Sequence, residues 1–408
     1  QKQAKKNRGI LEISGCMESQ KAHLMYGLSG LFPCHLVIAA DEKSAKELYE
    51  DYRFYDKRVY YYPAKDLLFF QADIHGNLLI RQRMQVIRAL LEREDEITVV
   101  TSIDGCMDYL APLEKSEKQL IHFRTDSTLD MDKLTAALVH MGYERVGQVE
   151  MPGQFSIRGG IIDIYSLTEE NPWRIELWGD EIDSIRSFDA QSQRSLENLD
   201  DVTIYPAAEQ PMEKNGVSFL DYFKETETLF FLDELNHLEE NAKAVQEEFQ
   251  QSCENRKEKG EISLSGDWMC TWEELCHKIN DRNCVAMSLL DPKKSNWKIS
   301  GQFNITVKSM SSYQSSFELL VKDLKQYKKE GYQIVLLSGS RTRAERLAKD
   351  LQEEGLNAFY GQDSDRVLQP GEIMVAYGHA RRGFEYPLVK FAVITETDIF
   401  GKEQKKRK

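Results

Sequence analysis

The stretch from Phe155 to Asp189 constrains the fold of this chain most, because it predicts a series of short strands. Within it, apolar and polar residues alternate in "PWRIELWGDEI", which predicts a strand with one buried side and one solvent-facing side. The solvent-facing side carries Arg174, Glu176 and Trp178. The following pair Gly179-Asp180 predicts a tight hairpin turn.

The preceding run "FSIRGGIIDIY" extends the same pattern. Its two glycines permit a bulge or a close approach of another backbone, and Arg158 projects opposite the apolar positions. We therefore expect Arg158, Arg174 and Trp178 to meet on one exposed sheet surface. Arg and Trp are enriched among binding hot spots, which favours a partner-binding face. In the alternative interpretation this is ordinary surface, with Arg174 paired to Glu176 or lying along Trp178.

Three runs carry a family resemblance: "RGGIIDIY", "WRIELWGDEIDSIRSFD" and "QSQRSLENLDDVTIYPAAE". They resemble the small β-rich domain shared by the excinuclease subunit UvrB and bacterial transcription-repair coupling factors. The resemblance implies that this domain docks onto the repair ATPase UvrA. It also implies that the family's contact positions, two arginines and an aromatic residue, fall on Arg158, Arg174 and Trp178, with Trp178 where a coupling factor carries Phe.

The first segment, up to about residue 118, alternates strand and helix patterns and predicts a parallel sheet. Its first strand leads into "GCMESQKA", where a phosphate-binding loop G-x-x-x-x-G-K-[ST] is expected. Gly15 and Lys21 fit that motif, but Gln20 replaces the second glycine and Ala22 replaces the magnesium-binding hydroxyl. We predict a degenerate, inactive loop.

A later strand, "ETLFFLDEL", ends in Asp233-Glu234, where an ATPase of this class carries its magnesium-coordinating pair. Without a working loop these carboxylates are interpreted as a relic or as favourable charges at a helix N-terminus. The rival hypothesis is a divergent P-loop ATPase or helicase half that uses Lys21, Asp233 and Glu234.

The fold class is predicted as α/β, with a degenerate P-loop-type parallel-sheet module interrupted by a β-rich domain and followed by a small α/β domain. We place the first part of the UvrB-like α/β domain at residues 1–118 and its second part at 212–310. The β-rich UvrA-binding domain is placed at 119–211 and the small α/β domain at 317–401. In the last, "GHARRGFEYP" offers Arg381 and Arg382 either to a phosphate or as a plain exposed loop.

Composition bears on nucleic-acid binding, membrane insertion and metal sites. A formal net charge of −14 argues against a chain that wraps nucleic acid, although the basic ends leave a DNA-binding module as an alternative. No run reaches the roughly eighteen apolar residues that span a bilayer, and no signal peptide is recognisable, so a cytoplasmic protein is expected. Seven cysteines without a C-x-x-C pair predict reduced thiols and no metal site, since the cluster at residues 270–284 lacks zinc-ligand spacing.

Taken together, the resemblance implies the N-terminal part of a transcription-repair coupling factor. Such a part would be non-catalytic, would need no cofactor, and would recruit UvrA to stalled transcription in nucleotide excision repair. The family also implies contacts with RNA polymerase and double-stranded DNA through later domains, and a translocase motor that covers the UvrA-binding face until the protein engages. The start at Gln1 and the end in "GKEQKKRK" suggest a piece of a longer chain.

Overall fold

A computed structural model describes residues 9–65, 76–93, 96–209, 216–258, 269–290, 297–361 and 366–401. The chain divides into two compact units. The first comprises residues 1–59, 227–240 and 276–408, and the second comprises 60–226 and 241–275. Each unit is therefore assembled from segments that lie far apart in the sequence. The two chain ends on which we based the expectation of a longer protein, residues 1–8 and 402–408, lie outside the described residues.

Strands and helices alternate in the first part of the chain, as predicted. Asp41 caps the second helix, because its side chain accepts a hydrogen bond from the Ser44 amide at 2.7 Å. The elements are β1 (Gly9–Ser14), α1 (Glu18–Ser29), β2 (Cys34–Ala39), α2 (Glu42–Tyr52), β3 (Val59–Tyr62), α3 (Gly76–Glu92), β4 (Ile97–Ser102), a short 3₁₀ helix (Asp104–Cys106), β5 (Tyr109–Leu110) and α4 (Leu113–Glu117).

The middle of the chain is rich in strands. Its elements are β6 (Ile121–Arg124), α5 (Met131–His140), β7 (Glu144–Arg145), β8 (Gln154–Arg158), β9 (Ile161–Ile164), β10 (Trp173–Trp178), β11 (Glu181–Phe188), β12 (Ser195–Leu199), β13 (Asp201–Ile204), β14 (Val217–Ser218) and a 3₁₀ helix (Phe219–Tyr222). Six of the strands form one sheet in the order β12-β11-β10-β9-β8-β7. The pairs from β8 to β12 are antiparallel and β7 pairs parallel with β8.

The stretch from Phe155 to Asp189, predicted as a series of short strands, forms four strands of this sheet, β8 to β11. The glycine pair at residues 159–160 forms the turn between β8 and β9, and Gly159 has a φ of +61°. A Cβ atom at Gly160 would lie 3.1 Å from the Leu177 carbonyl oxygen. The expected close approach of another backbone is therefore present, at a hairpin rather than at a bulge within one strand.

The apolar side of the sheet and helix α5 form the core of this part of the second unit. Leu134 and Leu138 of α5 are buried in the same cluster as Phe155, Ile164 and Ile175. Each fully buried side chain of this kind stabilises the fold by about 1.5–3 kcal/mol relative to its exposed state. Burial of this side fixes the strand register and leaves the other side to solvent.

The last part of the chain returns to α/β alternation. Its elements are β15 (Thr228–Asp233), α6 (Leu235–Glu258), α7 (Trp272–Asn280), β16 (Asn283–Ser288), β17 (Ile299–Asn304), β18 (Lys308–Ser309), α8 (Phe317–Glu330), β19 (Gln333–Ser338), α9 (Arg341–Glu353), β20 (Ala358–Tyr360), β21 (Ile373–Tyr377), β22 (Phe384–Tyr386), β23 (Phe391–Thr395) and α10 (Glu396–Phe400).

Two sheets organise the first unit. One contains parallel strands in the order β17-β1-β16-β15-β2, and the other has the order β18-β22-β23-β19-β21-β20. In the second sheet β23, β19, β21 and β20 are parallel, whereas β22 pairs antiparallel with both of its neighbours. Parallel strands alternating with helices confirm the predicted α/β class.

No helix among the described residues is long and apolar enough to cross a membrane. No group of three or more His, Cys, Asp or Glu side chains in the described ranges is placed to hold a metal ion. None of the seven cysteines, all of which lie in the described ranges, forms a disulfide bond.

Candidate functional site

The solvent-facing side of the six-stranded sheet carries a set of charged residues and one large aromatic ring, here called the polar face. Strand alternation places its members opposite the core, and register aligns them: Asp163 of β9 lies beside Arg174 of β10, and Ile161 lies between Arg158 and Glu176. The polar face comprises Arg158, Asp163, Arg174, Glu176, Trp178 and Arg186.

A buried carboxylate joins the two predicted arginines. The Asp163 side chain is 1% exposed and accepts hydrogen bonds from Arg174 Nε and Nη2 at 2.6 and 2.9 Å, and from Arg158 Nη2 at 2.6 Å. The hydrogen bonds from Arg174 to Asp163 raise the pKa of the Arg174 guanidinium above its ordinary value. The two arginines therefore form one ion cluster with a formal charge of +1.

Arg174 is held from two further directions. Its Nη2 donates to Gln193 Oε1 at 3.0 Å, and its guanidinium carbon lies 4.3 Å from the centre of the buried Phe188 ring. A cation over an aromatic ring is favourable by about 0.5–1 kcal/mol or more. Arg174 is consequently fixed, with 14% of its side chain exposed, whereas 46% of the Arg158 side chain is exposed.

The partners differ from those considered in the alternative interpretation of the sequence. Glu176 does not pair with Arg174; it forms a salt bridge with Arg186 and accepts a hydrogen bond from Ser184 at 3.3 Å. The physical reason is the register, which places Asp163 directly beside Arg174 and Ser184 beside Glu176. Adjacent carboxylates thus hold adjacent arginines on the polar face.

Trp178 ends strand β10 at the tight turn. Its side chain is 83% exposed, whereas Trp173 in the same strand is 8% exposed on the core side. The predicted two-residue turn is present at Gly179-Asp180, with Gly179 at φ +64°. Trp178 lies four residues from Arg174, about 13 Å along the strand. The structure therefore places Trp178 on the same face as the arginines but away from their shared carboxylate.

The stretch resembling a phosphate loop lies in the first unit and is filled by the protein's own groups. The amides of Gly15 and Cys16 donate to the carbonyls of Leu289 and Ser288 at 3.2 and 3.0 Å. Gly15 has a φ of +82°, and a Cβ atom there would lie 2.1 Å from the Ile305 carbonyl oxygen. Backbone amides that a phosphate loop offers to its ligand are thus bonded within the chain.

Lys21 is likewise bonded to other groups of the chain. Its Nζ lies 2.6 Å from both Asp233 Oδ1 and Glu234 Oε1, in a largely buried position. Burial by itself lowers the pKa of Lys21, but the two carboxylates outweigh it and raise the pKa above its usual value. Lys21 is therefore a charged partner of Asp233 and Glu234, and these carboxylates neutralise it.

The two residues that depart from the loop motif are buried at the start of helix α1. Gln20 Oε1 accepts from the Met17 amide at 3.1 Å, and Gln20 Nε2 donates to the Tyr386 hydroxyl at 2.9 Å. Ala22 is fully buried. The replacement of the motif glycine thus provides a helix cap and a contact with strand β22.

Arg381 and Arg382, which the sequence offered either to a phosphate or as a plain exposed loop, differ in their surroundings. Arg381 pairs with Asp51 at 3.0 Å and with Glu47 at 2.5 Å, and the Arg382 amide donates to Ser19 Oγ at 3.2 Å. Arg381 is therefore already bonded to carboxylates of helix α2, whereas 51% of the Arg382 side chain is exposed.

Asp163 is the residue of this site that sequence reasoning missed. Its signal was present, because an acidic residue between two isoleucines in "IIDIY" occupies the solvent-facing position of a strand. Nothing in the pattern indicated that its carboxylate would be almost fully buried. A buried carboxylate requires partners, and the two arginines provide them.

Comparison with known proteins shows which family the chain resembles. Residues 121–209 match the model described as the UvrB interaction domain. The chain is 30% identical to a transcription-repair-coupling factor of Bacillus subtilis, across 97% of this chain and 40% of that protein. It is 26% identical to one of Staphylococcus haemolyticus and 25% identical to one of Staphylococcus epidermidis, each across 86% of this chain.

The match spans about 40% of the length of the Bacillus subtilis protein. It covers 97% of this chain. Over nearly its whole length the chain therefore belongs to the transcription-repair-coupling factor family, and residues 121–209 are its UvrB interaction domain.

Proposed function

We propose that this chain recruits UvrA in transcription-coupled nucleotide excision repair and that the polar face is the recruiting surface. The observation that carries the proposal is the placement of an ordered arginine pair and an 83% exposed tryptophan on one side of the UvrB interaction domain. A largely exposed tryptophan adds little to the stability of the fold and is accessible to a binding partner.

The chemistry of the face indicates what it recognises. The Arg158 guanidinium is bonded to Asp163 through Nη2 and is half exposed, so it can donate further charge-assisted hydrogen bonds to a carboxylate of the partner. Trp178 supplies an apolar anchor of the kind that fills a pocket. Truncating such a hot spot typically costs about 2 kcal/mol or more of binding free energy.

The proposed role is that of an adaptor without catalytic activity of its own. In support, Lys21 is neutralised by Asp233 and Glu234, and the amides of Gly15 and Cys16 are bonded to other backbone carbonyls. A nucleotide would have to displace all of these contacts. Translocation on DNA and contact with RNA polymerase are properties that we assign to other parts of a longer family member.

A second part of the proposal concerns regulation. In a longer family member, the translocase motor would cover the polar face until the protein engages stalled transcription. The support is the family membership together with the exposure of Trp178, which leaves an apolar ring without a partner in the described part of this chain. A protein extended by the motor should then bind UvrA more weakly than this chain does, and equal affinities would contradict this part.

The central experiment measures binding of the chain to purified UvrA by biolayer interferometry, with folding checked by circular dichroism. We expect micromolar or tighter binding by the wild type, and a loss of about 30-fold or more in Arg174→Ala and Trp178→Ala, since 2 kcal/mol corresponds to that factor. Leu388→Ala is a matched control, because Leu388 is also 83% exposed but lies in the first unit.

Three outcomes are distinguishable. Absence of binding by the folded wild type would contradict the recruiting role. Normal binding by Arg174→Ala and Trp178→Ala would show that UvrA uses another surface. An equal loss in Leu388→Ala would show that the effect of Trp178 comes from any exposed apolar residue rather than from the polar face.

A further inference from the structure

We infer that Asp163 is a positioning residue for recognition of UvrA: its buried carboxylate fixes Arg158 and Arg174 before the partner arrives, so that the two arginines act as one unit. This inference rests on the proposed function, and it adds a residue that contacts no partner itself. In the unbound protein the recognition surface would then already have its two arginines in place.

The geometry around Asp163 carries the inference. Both of its carboxylate oxygens are used: Oδ1 accepts from Arg174 Nε at 2.6 Å, and Oδ2 accepts from Arg174 Nη2 at 2.9 Å and from Arg158 Nη2 at 2.6 Å. The two bonds to Arg174 form a planar fork, which restricts the orientation of the guanidinium as well as its position. The carboxylate itself is 1% exposed and so is not available to a partner.

The three residues come from three adjacent strands. Arg158 ends β8, Asp163 lies in β9, and Arg174 lies beside it in β10. Asp163 therefore ties the first hairpin of the sheet to the strand that also carries Trp178. A displacement of this carboxylate would release both arginines at once.

The cluster of Asp163, Arg158 and Arg174 has more positive than negative charges. The cluster keeps a net charge of +1, whereas the neighbouring Glu176–Arg186 pair is neutral. A partner carboxylate thus meets one uncompensated positive charge at Arg158, the more exposed of the two guanidiniums. The alternative role of Asp163 is neutralisation of Arg174 for the stability of the sheet alone. That role predicts no effect on the affinity of a folded variant.

Fixing long side chains in advance reduces the entropy lost on binding. For two immobilised arginines this loss corresponds to a change in affinity of about 5- to 150-fold. We therefore expect Asp163→Asn to weaken UvrA binding within this range while both guanidiniums remain present.

The test is a double-mutant cycle in UvrA binding. If Asp163 acts through the arginines, the combined Asp163→Asn/Arg158→Ala variant should lose less affinity than the product of the two single losses. The matched control is Asp108→Asn, which removes a buried carboxylate that accepts from Arg83 at 3.0 Å outside the six-stranded sheet. We expect Asp108→Asn to lower stability and to leave affinity unchanged.

A second measurement does not depend on the folding of an Asp163 variant. In the unbound wild type, the Arg174 Nε–H group should give a distinct NMR signal that is protected from exchange with solvent, assigned by its loss in Arg174→Lys. Rapid exchange of this proton in the unbound protein would overturn the inference.

The outcomes separate the inference from the function on which it rests. If the wild type fails to bind UvrA, both are overturned. If the wild type binds, Arg174→Ala and Trp178→Ala lose affinity, and folded Asp163→Asn binds normally, the recruiting function stands and the positioning role is overturned. Losses that multiply fully in the double variant also overturn it.

Discussion

At the scale of single residues, one strand contains two tryptophans with opposite consequences. Trp173 and Trp178 both belong to β10, but they are 8% and 83% exposed. Their spacing of five residues is odd, so alternation puts them on opposite sides of the sheet. The same side chain therefore serves the core at one position and the polar face at the other.

This contrast gives a direct prediction. Trp173→Ala should destabilise the second unit by about 3–5 kcal/mol, because it leaves a cavity in the core. Trp178→Ala should change the free energy of unfolding by less than about 0.5 kcal/mol, because the ring is already in solvent. Urea denaturation of both variants measures the difference, and equal destabilisation would contradict the assignment of the two faces.

A second prediction concerns Lys21. Lys21→Ala leaves the carboxylates of Asp233 and Glu234 without their cation, and removing one partner of a buried ion pair costs about 3–5 kcal/mol. We expect a loss of that size in the free energy of unfolding.

Lys46→Ala is the control, since Lys46 and Glu42 form an exposed pair on helix α2 whose loss should cost about 0.2–1 kcal/mol or less. Isothermal titration with ATP and magnesium tests the rival enzymatic hypothesis on the same proteins. Nucleotide binding by the wild type that Lys21→Ala abolishes would contradict the inactive-loop interpretation.

At the scale of elements, backbone conformation and the space around a turn together determine why a glycine is needed there. Gly179 and Gly15 both have positive φ, but only Gly15 has a neighbour in the place of a Cβ atom. Gly179 joins β10 to β11 in open solvent, whereas Gly15 directly follows β1 and lies against the Ile305 carbonyl. Gly179 thus lies in a hairpin turn, whereas Gly15 lies in a loop that is closed by a neighbouring backbone.

We therefore predict unequal costs for the same substitution. Gly179→Ala should cost about 1–2 kcal/mol, the penalty of a left-handed conformation for a residue with a Cβ atom. Gly15→Ala should cost about 2–5 kcal/mol, because overpacking against a backbone carbonyl adds about 1–3 kcal/mol to that penalty. Chemical denaturation of the two variants checks the order, and a larger loss in Gly179→Ala would contradict it.

At the scale of the whole molecule, charge limits the choice of partners. The chain carries 53 basic and 67 acidic residues, and its formal net charge is −14. Several of its arginines are bonded to carboxylates, including Arg158, Arg174, Arg186 and Arg381. Basic groups that are already paired contribute little to the neutralisation of phosphates.

From this we predict weak binding to double-stranded DNA, with a dissociation constant above about 100 µM at physiological salt, the weak limit of non-specific DNA binders. Fluorescence anisotropy with a short labelled duplex at two salt concentrations provides the measurement. Micromolar affinity that falls steeply as salt is raised would instead support the DNA-binding alternative.

The sequence by itself determined the α/β class, the strand alternation and the turn at Gly179-Asp180, because these depend on local periodicity and on residue types with narrow conformational preferences. It also carried the family resemblance. Its choice of Arg158, Arg174 and Trp178 as the UvrA contacts stays a prediction, as do the four domain boundaries that we placed. Gln20 and Ala22 were recognised as departures from a phosphate loop by position alone.

Only the tertiary structure decided which partners these side chains meet. Asp163 joins Arg174 because two strands align in one register, and Lys21 joins Asp233 and Glu234 across more than two hundred residues of sequence. The same holds for the contact of Gln20 with Tyr386. Hydrogen bonds and ion pairs depend on distances of a few ångströms between atoms, and such distances are set by the packing of remote segments rather than by local pattern.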